Sequence, residues 1–196
     1  MDPVVAETMT VLFQVAMGIS LAACAGLRAF LPLFVAGVSG RFELIPLAER
    51  FEWMAGTPAL VVLGAAVVCE LLADKIPVVD HLLDSLQTLV KPVAGTILAA
   101  SVLADMPIVY ATALGLIAGG GTAAAVHLGK AQVRVGSSLT TAGFANPVVS
   151  FVEDVAALAG SLLSLFFPVI ALFVLLVAIF LIWRLLRGPA RAAGAG

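Results

Sequence analysis

The sequence predicts an all-α fold, a polytopic membrane helical bundle with broken or re-entrant helices. Apolar residues make up 62% of its 196 residues, whereas soluble domains contain about 45–50%. Charged residues make up only 11%, and the mean hydropathy is +1.18. With 10 basic and 12 acidic residues the net charge is −2, so no basic surface could follow a nucleic-acid backbone. Composition excludes a soluble globular enzyme and a nucleic-acid binder, and it leaves a membrane domain built of helices.

The first half of the chain contains two apolar runs and an amphipathic segment. Residues 8–27 are long enough to cross a hydrocarbon core of about 30 Å. Arg28 and Pro32 then interrupt the first run. The predicted elements are a span over 8–27, a broken or re-entrant continuation over 28–39, a polar connection over 40–56, a second span over 57–73 and an amphipathic helix over 77–91.

The second half contains longer apolar runs. Its predicted elements are a short apolar run over 92–104, a span over 107–127, a polar loop over 135–146 and a long run over 155–183. The last run covers about 43 Å of helix, too long for one upright span, so Pro168 is expected to mark a kink or a boundary. Asn146 followed by Pro147 predicts a helix start. We expect five or six spans in total.

A short repeated motif suggests internal duplication. Pro77-Val78-Val79 recurs as Pro147-Val148-Val149, and an aspartate follows each proline by seven residues. Chance similarity between Val/Ala/Leu-rich segments is the alternative explanation. The predicted organisation is a single transmembrane domain over 1–187, with repeats (inverted or not) over 8–91 and 92–167, a C-terminal helix over 168–187 and a disordered tail over 188–196.

Carboxylates beside or within the apolar runs are the main candidates for ion chemistry. The predicted ion pathway or binding residues are Glu70, Asp74, Asp80, His81, Asp84, Glu153 and Asp154. Carboxylate oxygens suit hard cations, and Asp80, His81 and Asp84 would suit a metal, so a divalent metal ion is a candidate cofactor. The competing interpretations are an amphipathic helix with a wet acidic side, and acids that only stabilise a helix N-terminus.

Basic residues near these runs are the predicted counter-charges: Arg28, Lys75, Lys130 and Arg134. Arg28 lies at membrane depth and has no acidic neighbour in sequence. An unpaired arginine there is expensive, so we expect it to pair with Glu70 or Asp74.

The basic residues that end the run over 107–127 share one helix face. His127, Lys130 and Arg134 are expected to pair with the carboxylates or to contact anionic lipid headgroups. Stabilisation of a helix C-terminus is the simpler alternative. Arg134, Ser137 and Ser138, in the polar loop before the next helix, form a candidate phosphate-binding site.

Several stretches resemble a bacterial family of small inner-membrane proteins known only as a domain of unknown function. They are GLRAFLPL over 26–33, ELLADKIPVVDHLLD over 70–84, KPVAG over 91–95 and NPVVSFVED over 146–154. The resemblance implies a multi-pass protein of the bacterial inner (cytoplasmic) membrane, whose polar positions are family features, but it implies no activity. Arg184, Arg187 and Arg191 favour a cytoplasmic C-terminus.

These observations predict a small integral membrane transporter or channel for ions, with cations expected and a carboxylate-lined pathway. The expected partners are the lipid bilayer, the ions and further copies of the chain as a homo-oligomer, with no nucleic acid. The alternatives are a membrane enzyme or flippase acting on a phosphate-bearing lipid, and a structural membrane protein whose charges only pair. The enzyme is less favoured, and no catalytic residue is predicted.

Overall fold

The fold consists of helices joined by short connections. A computed structural model describes the backbone of residues 2–73, 77–141 and 146–186, and their side chains except those of 77–85, 138–141, 146, 183, 185 and 186. The α-helices are α1 (Pro3–Leu27), α2 (Phe30–Arg41), α3 (Thr57–Ala73), α4 (Pro77–Ser101), α5 (Ile108–Leu114), α6 (Gly121–Thr141), α7 (Asn146–Phe166) and α8 (Pro168–Leu186). A 3-10 helix covers Glu49–Ala55, and a π-helix covers Gly115–Gly120. The described part contains no strand, so the all-α prediction is confirmed.

Length and apolarity identify the helices that could cross a membrane. Among the described residues these are Pro3–Leu27, Ile108–Ser137 and Pro147–Phe166. The 3-10 helix and α3, which meet at a bend of 64°, raise the number from three to four if they count as one span. This criterion gives fewer spans than the five or six expected from sequence. Helix α2 and the apolar part of α8, Pro168–Ile182, are apolar but too short to be counted.

Helix α1 lies at the centre and packs against α4, α6, α7 and α8. Its start follows from the local sequence: Pro3 occupies the first turn, and the Asp2 carboxylate accepts a hydrogen bond from the N–H of Val4 (3.3 Å). It ends at Leu27 because Arg28 adopts an extended backbone (φ −134°, ψ 118°). Helix α2 begins two residues later, so the expected break in the first run is confirmed.

Two segments are more helical than the sequence predicts. The amphipathic segment 77–91 and the apolar run after it form one helix, α4, with Pro92 inside it. Proline has no N–H to donate to the carbonyl four residues earlier in the helix. The carbonyl of Pro92 itself accepts a hydrogen bond from the Thr96 hydroxyl (2.9 Å). The predicted loop over 135–146 is also wrong up to Thr141, because α6 continues to that residue. Its serines, threonines and glycine disfavour helix only weakly, and tertiary packing overrides such preferences.

Small residues allow α1, α4 and the π-helix to approach closely. A Cβ atom on Gly119 would lie 2.5 Å from the Gly95 carbonyl oxygen and 2.5 Å from the Ala99 Cβ. A Cβ on Gly18 would lie 3.1 Å from the Ala99 Cα, and one on Gly115 would lie 2.9 Å from a carbonyl oxygen of α4. We call these five residues (Gly18, Gly95, Ala99, Gly115 and Gly119) the glycine seam. Membrane helices use such small residues to bring their backbones together.

Candidate functional site

Charged and polar side chains that are buried or half-buried gather around the break between α1 and α2. We call this cluster the polar junction, and its described members are Arg28, Glu70, Lys91, His127, Lys130, Arg134, Ser150, Glu153 and Asp154. Arg28 and Lys91 are both 0% exposed, which is rare for charged residues. Buried charges need close partners, so the contacts within the junction decide what it can do.

Glu70 holds the α2 side of the break. Its Oε1 accepts a hydrogen bond from the N–H of Ala29 (2.8 Å), and its Oε2 accepts one from the N–H of Phe30 (3.1 Å). These amides at the start of a helix have no partner within the helix, and the helix dipole is positive there. The charges of Arg28 and Lys91 also attract this carboxylate. Glu70, from the last turn of α3, therefore stabilises the start of α2.

Lys130 holds the α1 side of the break. Its Nζ donates a hydrogen bond to the carbonyl of Leu27 (3.3 Å), at the negative end of α1. The same nitrogen forms an ion pair with Glu153 Oε2 at 2.8 Å. The two polar ends that the break exposes are thus met by side chains of opposite charge from different helices, α3 and α6.

Arg28 faces α7. Its Nη2 lies 2.6 Å from Asp154 Oδ1, and it donates to the Ser150 hydroxyl (2.9 Å) and the Ser150 carbonyl (3.3 Å). The predicted ion pair with Glu70 is wrong, because Glu70 is used by backbone amides. Asp74, the other predicted partner, lies outside the described residues. Antiparallel packing explains the pairing: α7 runs opposite to α1, and Gly160 of α7 meets the Cys24 sulfur one turn before Arg28.

Glu153 is shared by two basic residues of α6. Its Oε2 contacts Lys130 at 2.8 Å and Arg134 Nη2 at 3.2 Å, and its side chain is 9% exposed. The sequence predicted that the helix face carrying His127, Lys130 and Arg134 would pair with carboxylates or contact lipid headgroups. The two ion pairs confirm the pairing with a carboxylate for Lys130 and Arg134. Because Asp154 lies next in sequence, one turn of α7 supplies acids to both Arg28 and the basic face of α6.

Lys91 adds a contact that the sequence analysis missed. Its Nζ lies 3.1 Å from His127 Nδ1, and His127 Nε2 lies 3.3 Å from the Thr88 hydroxyl. Lys91 falls on the polar side of the predicted amphipathic helix, and that position was the available signal. Its burial could not be foreseen, because the sequence does not show that α6 packs on this face of α4.

Several predicted site residues cannot be placed. Asp74 and Lys75 lie outside the described residues, as does the tail over 188–196, and the side chains of Asp80, His81, Asp84 and Ser138 lie outside the described ones. The described side chains include no group of three His, Cys, Asp or Glu that could hold a metal ion. The metal prediction therefore stays a prediction.

The loop geometry behind the candidate phosphate site is wrong. Arg134 and Ser137 lie within α6 rather than in a loop before a helix N-terminus. Backbone N–H groups in the interior of a helix bond to carbonyls of the same helix, so they do not form an anion-binding loop. Any phosphate contact at these residues would depend on side chains alone.

The outer surfaces of α7 and α8 carry large apolar side chains that are exposed. Phe173 of α8 is 66% exposed, and Val148 and Phe151 of α7 are each 65% exposed. Such surfaces are unfavourable in water and suit lipid, while the charges of the polar junction lie among the helices. Fold and site together define an all-helical membrane protein with a charged cluster among its helices.

The chain belongs to the family described as Domain of unknown function (DUF4126), whose family model matches residues 15–188. The match includes every member of the polar junction and agrees with the resemblance found in the sequence. No curated protein and no solved structure matches the chain.

Proposed function

We propose that this protein is a small membrane transporter or channel for ions and that the polar junction is its ion site. The observation that carries the proposal is a buried charged cluster at a discontinuous helix. In transporters, broken helices supply helix ends at which ions and charged groups bind. Here both helix ends at the break are engaged by charged side chains, Glu70 and Lys130.

The free-energy cost of burying these charged side chains argues against a purely structural role for the cluster. Replacing a buried ion pair by apolar residues of similar volume is often neutral or stabilising, so such pairs are weak evidence of a stabilising role. Ionisable residues within membrane segments are expensive and usually mark ion or proton pathways. A cluster containing two fully buried basic residues, Arg28 and Lys91, fits that pattern.

The contacts suggest how a cation would enter. Glu70, Glu153 and Asp154 already contact donor groups of the protein. A cation therefore binds by replacing a basic side chain, and Glu153 is the best place because two basic groups share one of its oxygens. Displacing Lys130 from Glu153 would also disturb its bond to Leu27, which links ion binding to the helix break.

A lipid-phosphate substrate is the second candidate, because basic groups outnumber acids in the described junction. The basic side chains are Arg28, Lys91, Lys130 and Arg134, and the acidic ones are Glu70, Glu153 and Asp154. A surplus of positive charge attracts an anionic headgroup. A flippase or membrane enzyme for a phosphate-bearing lipid would use these side chains to hold the phosphate.

Ion flux into proteoliposomes tests the first proposal. The wild-type protein is compared with Glu153→Gln and Asp80→Asn across a panel of monovalent and divalent cations. The matched control is Glu52→Gln, the same substitution at an exposed residue outside the junction. We expect selective flux that Glu153→Gln abolishes and Glu52→Gln preserves.

Folding and the competing candidate are measured with the same samples. Thermal unfolding in detergent shows whether each variant remains folded. Absence of flux for every cation from folded, reconstituted wild-type protein would reject the ion proposal. Movement of a fluorescent phospholipid between leaflets under those conditions, lost in Arg134→Ala, would favour the lipid candidate.

A further inference from the structure

The middle of α1 carries a buried polar side chain that lies outside the polar junction. Gln14 is 6% exposed, and its Nε2 donates a hydrogen bond to Asp105 Oδ2 at 2.6 Å. Its Oε1 is also buried, and no donor among the described residues reaches it. A buried acceptor without a donor is unfavourable, so the hydrogen bond to Asp105 does not by itself account for an amide at this position.

Asp105 connects this amide to the outside of the bundle. It is exposed and lies in the turn between α4 and α5. Just before this turn, the carbonyl of Ser101 accepts a hydrogen bond from the N–H of Ala48 (2.8 Å). The polar connection that follows α2 therefore packs at the same end of α4 as Asp105. The carboxylate can be reached from outside the helices, whereas the amide oxygen of Gln14 lies inside them.

We propose that Gln14 and Asp105 form a second cation site, which binds a monovalent ion such as Na⁺ or K⁺. The proposal rests on the proposed transport function and adds a site away from the break. The ligands are a carboxylate oxygen of Asp105 and the amide oxygen of Gln14, and oxygens of these two kinds bind hard cations. One carboxylate balances one monovalent charge, whereas divalent ions are held by several carboxylates.

The amide of Gln14 suits both the empty and the occupied site. Half a turn about its last side-chain bond exchanges the positions of Oε1 and Nε2. Without a cation the carboxylate needs a donor, and Nε2 contacts it as the structure shows. With a cation at the carboxylate, Oε1 turns to the ion and Nε2 leaves Asp105. Binding therefore breaks the hydrogen bond between the two side chains, which gives the site a direct signal.

Gln14 and Arg28 lie on nearly the same face of α1. The 14 positions between their numbers correspond to about 21 Å along a helix and about 40° around it. The two cation sites would therefore lie at different depths of a hydrocarbon core of about 30 Å. Ions that cross a membrane pass between successive binding sites. Between these two sites Gly18 packs closely against Ala99 of α4, so the seam separates them in this conformation.

NMR of the glutamine side-chain amides tests binding without any transport measurement. The chain has three glutamines, Gln14, Gln87 and Gln132, so Gln14→Leu identifies the Gln14 signals. Sodium chloride or potassium chloride replaces choline chloride at constant ionic strength. We expect a saturable shift of the Gln14 signals with at least one of the two alkali ions and none with choline alone. Gln14 signals that respond to neither ion would overturn the proposal.

Asp105→Asn removes the charge of the site. We expect the cation to bind at least about tenfold more weakly, because the charged ligand is lost. Glu52→Gln, which neutralises another exposed acid, is the matched control and should keep the wild-type affinity. Equal weakening in both variants would show that surface charge in general attracts the ion, and the site would be rejected. Because Asp105 is exposed, this variant decides the matter if Gln14→Leu fails to fold.

Ion flux into proteoliposomes tests whether the second cation site lies on the ion route. Gln14→Leu is expected to lose most of the flux, whereas Gln132→Leu, the same substitution at an exposed glutamine, keeps it. Wild-type flux in Gln14→Leu and Asp105→Asn would overturn this inference and leave the proposed function standing. Absence of flux from folded wild-type protein would reject the proposed function, while the NMR titration still decides whether Gln14 and Asp105 bind a cation.

Discussion

The polar junction and the glycine seam hold helices together by opposite means. In the junction, charged side chains from α3, α6 and α7 contact the residues at the break after Leu27. In the seam, the absence of side chains lets α1, α4 and the π-helix touch through their backbones. The seam therefore depends on volume alone, whereas the junction depends on charge and protonation. Under the proposed ion transport, the junction would be the part that responds to ions, and the seam would hold the helices around it in place.

Loss of a shared charge in the junction is expected to have the largest effect. Glu153→Gln leaves Lys130 and Arg134 without the carboxylate oxygen that both contact. Breaking a buried ion pair by removing one partner lowers the free energy of unfolding by about 3–5 kcal/mol. Thermal or denaturant unfolding in detergent measures the change, with Glu52→Gln as control. A loss no larger than that of the control would show that the junction contributes no more than surface charges.

A methyl group in the seam is expected to have the next largest effect. Gly119→Ala places a Cβ 2.5 Å from the Gly95 carbonyl oxygen and should destabilise the protein by about 1–3 kcal/mol. Gly121→Ala is the control, because nothing lies within 4 Å of its Cβ. That control should stabilise α6 by up to about 1 kcal/mol, since alanine favours helix over glycine. The same sign for both substitutions would refute the close-packed seam.

Ser150→Ala is expected to have a smaller effect within the junction. It removes the hydroxyl that accepts from Arg28 Nη2 at 2.9 Å but keeps the carbonyl contact and the Asp154 ion pair. A hydrogen bond to a charged group contributes about 1.5–3 kcal/mol, and the remaining contacts should hold the loss near the lower figure. Ser164→Ala is the matched control, because that buried hydroxyl donates to the Gly160 carbonyl of its own helix and lies outside the polar junction. Equal losses in both variants would argue against a role for Ser150 in holding Arg28.

Asp105→Asn is expected to have the smallest effect. Asp105 is exposed and accepts from Gln14 Nε2 at 2.6 Å, at the middle of α1 and away from the break. Asparagine retains an oxygen that can accept this bond, and an exposed charge contributes little. The unfolding temperature in detergent should move by less than about 2 °C. A shift as large as that of Glu153→Gln would mean that charge matters as much at the middle of α1 as at the break, and the contrast with the junction would fail.

The helix boundaries could be predicted where a local rule fixes them. Arg28 in an apolar run predicts the break, Asn146 and Pro147 predict the start of α7, and Pro168 predicts the boundary before α8. Each of these signals lies in the sequence at the helix boundary that it predicts. The extension of α6 to Thr141 and the continuity of α4 through Pro92 were missed, because packing against other helices outweighs a weak local preference.

Some members of the polar junction could be predicted, but the partner of Arg28 and the contact of Lys91 could not. A buried arginine requires a carboxylate, and the sequence shows which carboxylates lie near apolar segments. Arg28 pairs with Asp154 rather than with Glu70 because α7 packs antiparallel to α1, and this packing brings together residues that are far apart in the chain. Lys91 was overlooked for the same reason, since one helical wheel cannot distinguish a face covered by α6 from a face in water.

The break after Leu27 is also a point at which several helices are connected. Its upstream side is tied through the Leu27 carbonyl to Lys130 of α6, and its downstream side is tied through the amides of Ala29 and Phe30 to Glu70 of α3. The orientation of α2 is therefore coupled to α3, and that of α1 is coupled to α6. Arg28, the residue between the two contacts, is bound to Asp154 and Ser150 of α7. The three residues from Arg28 to Phe30 thus connect the start of α2 to both α3 and α7.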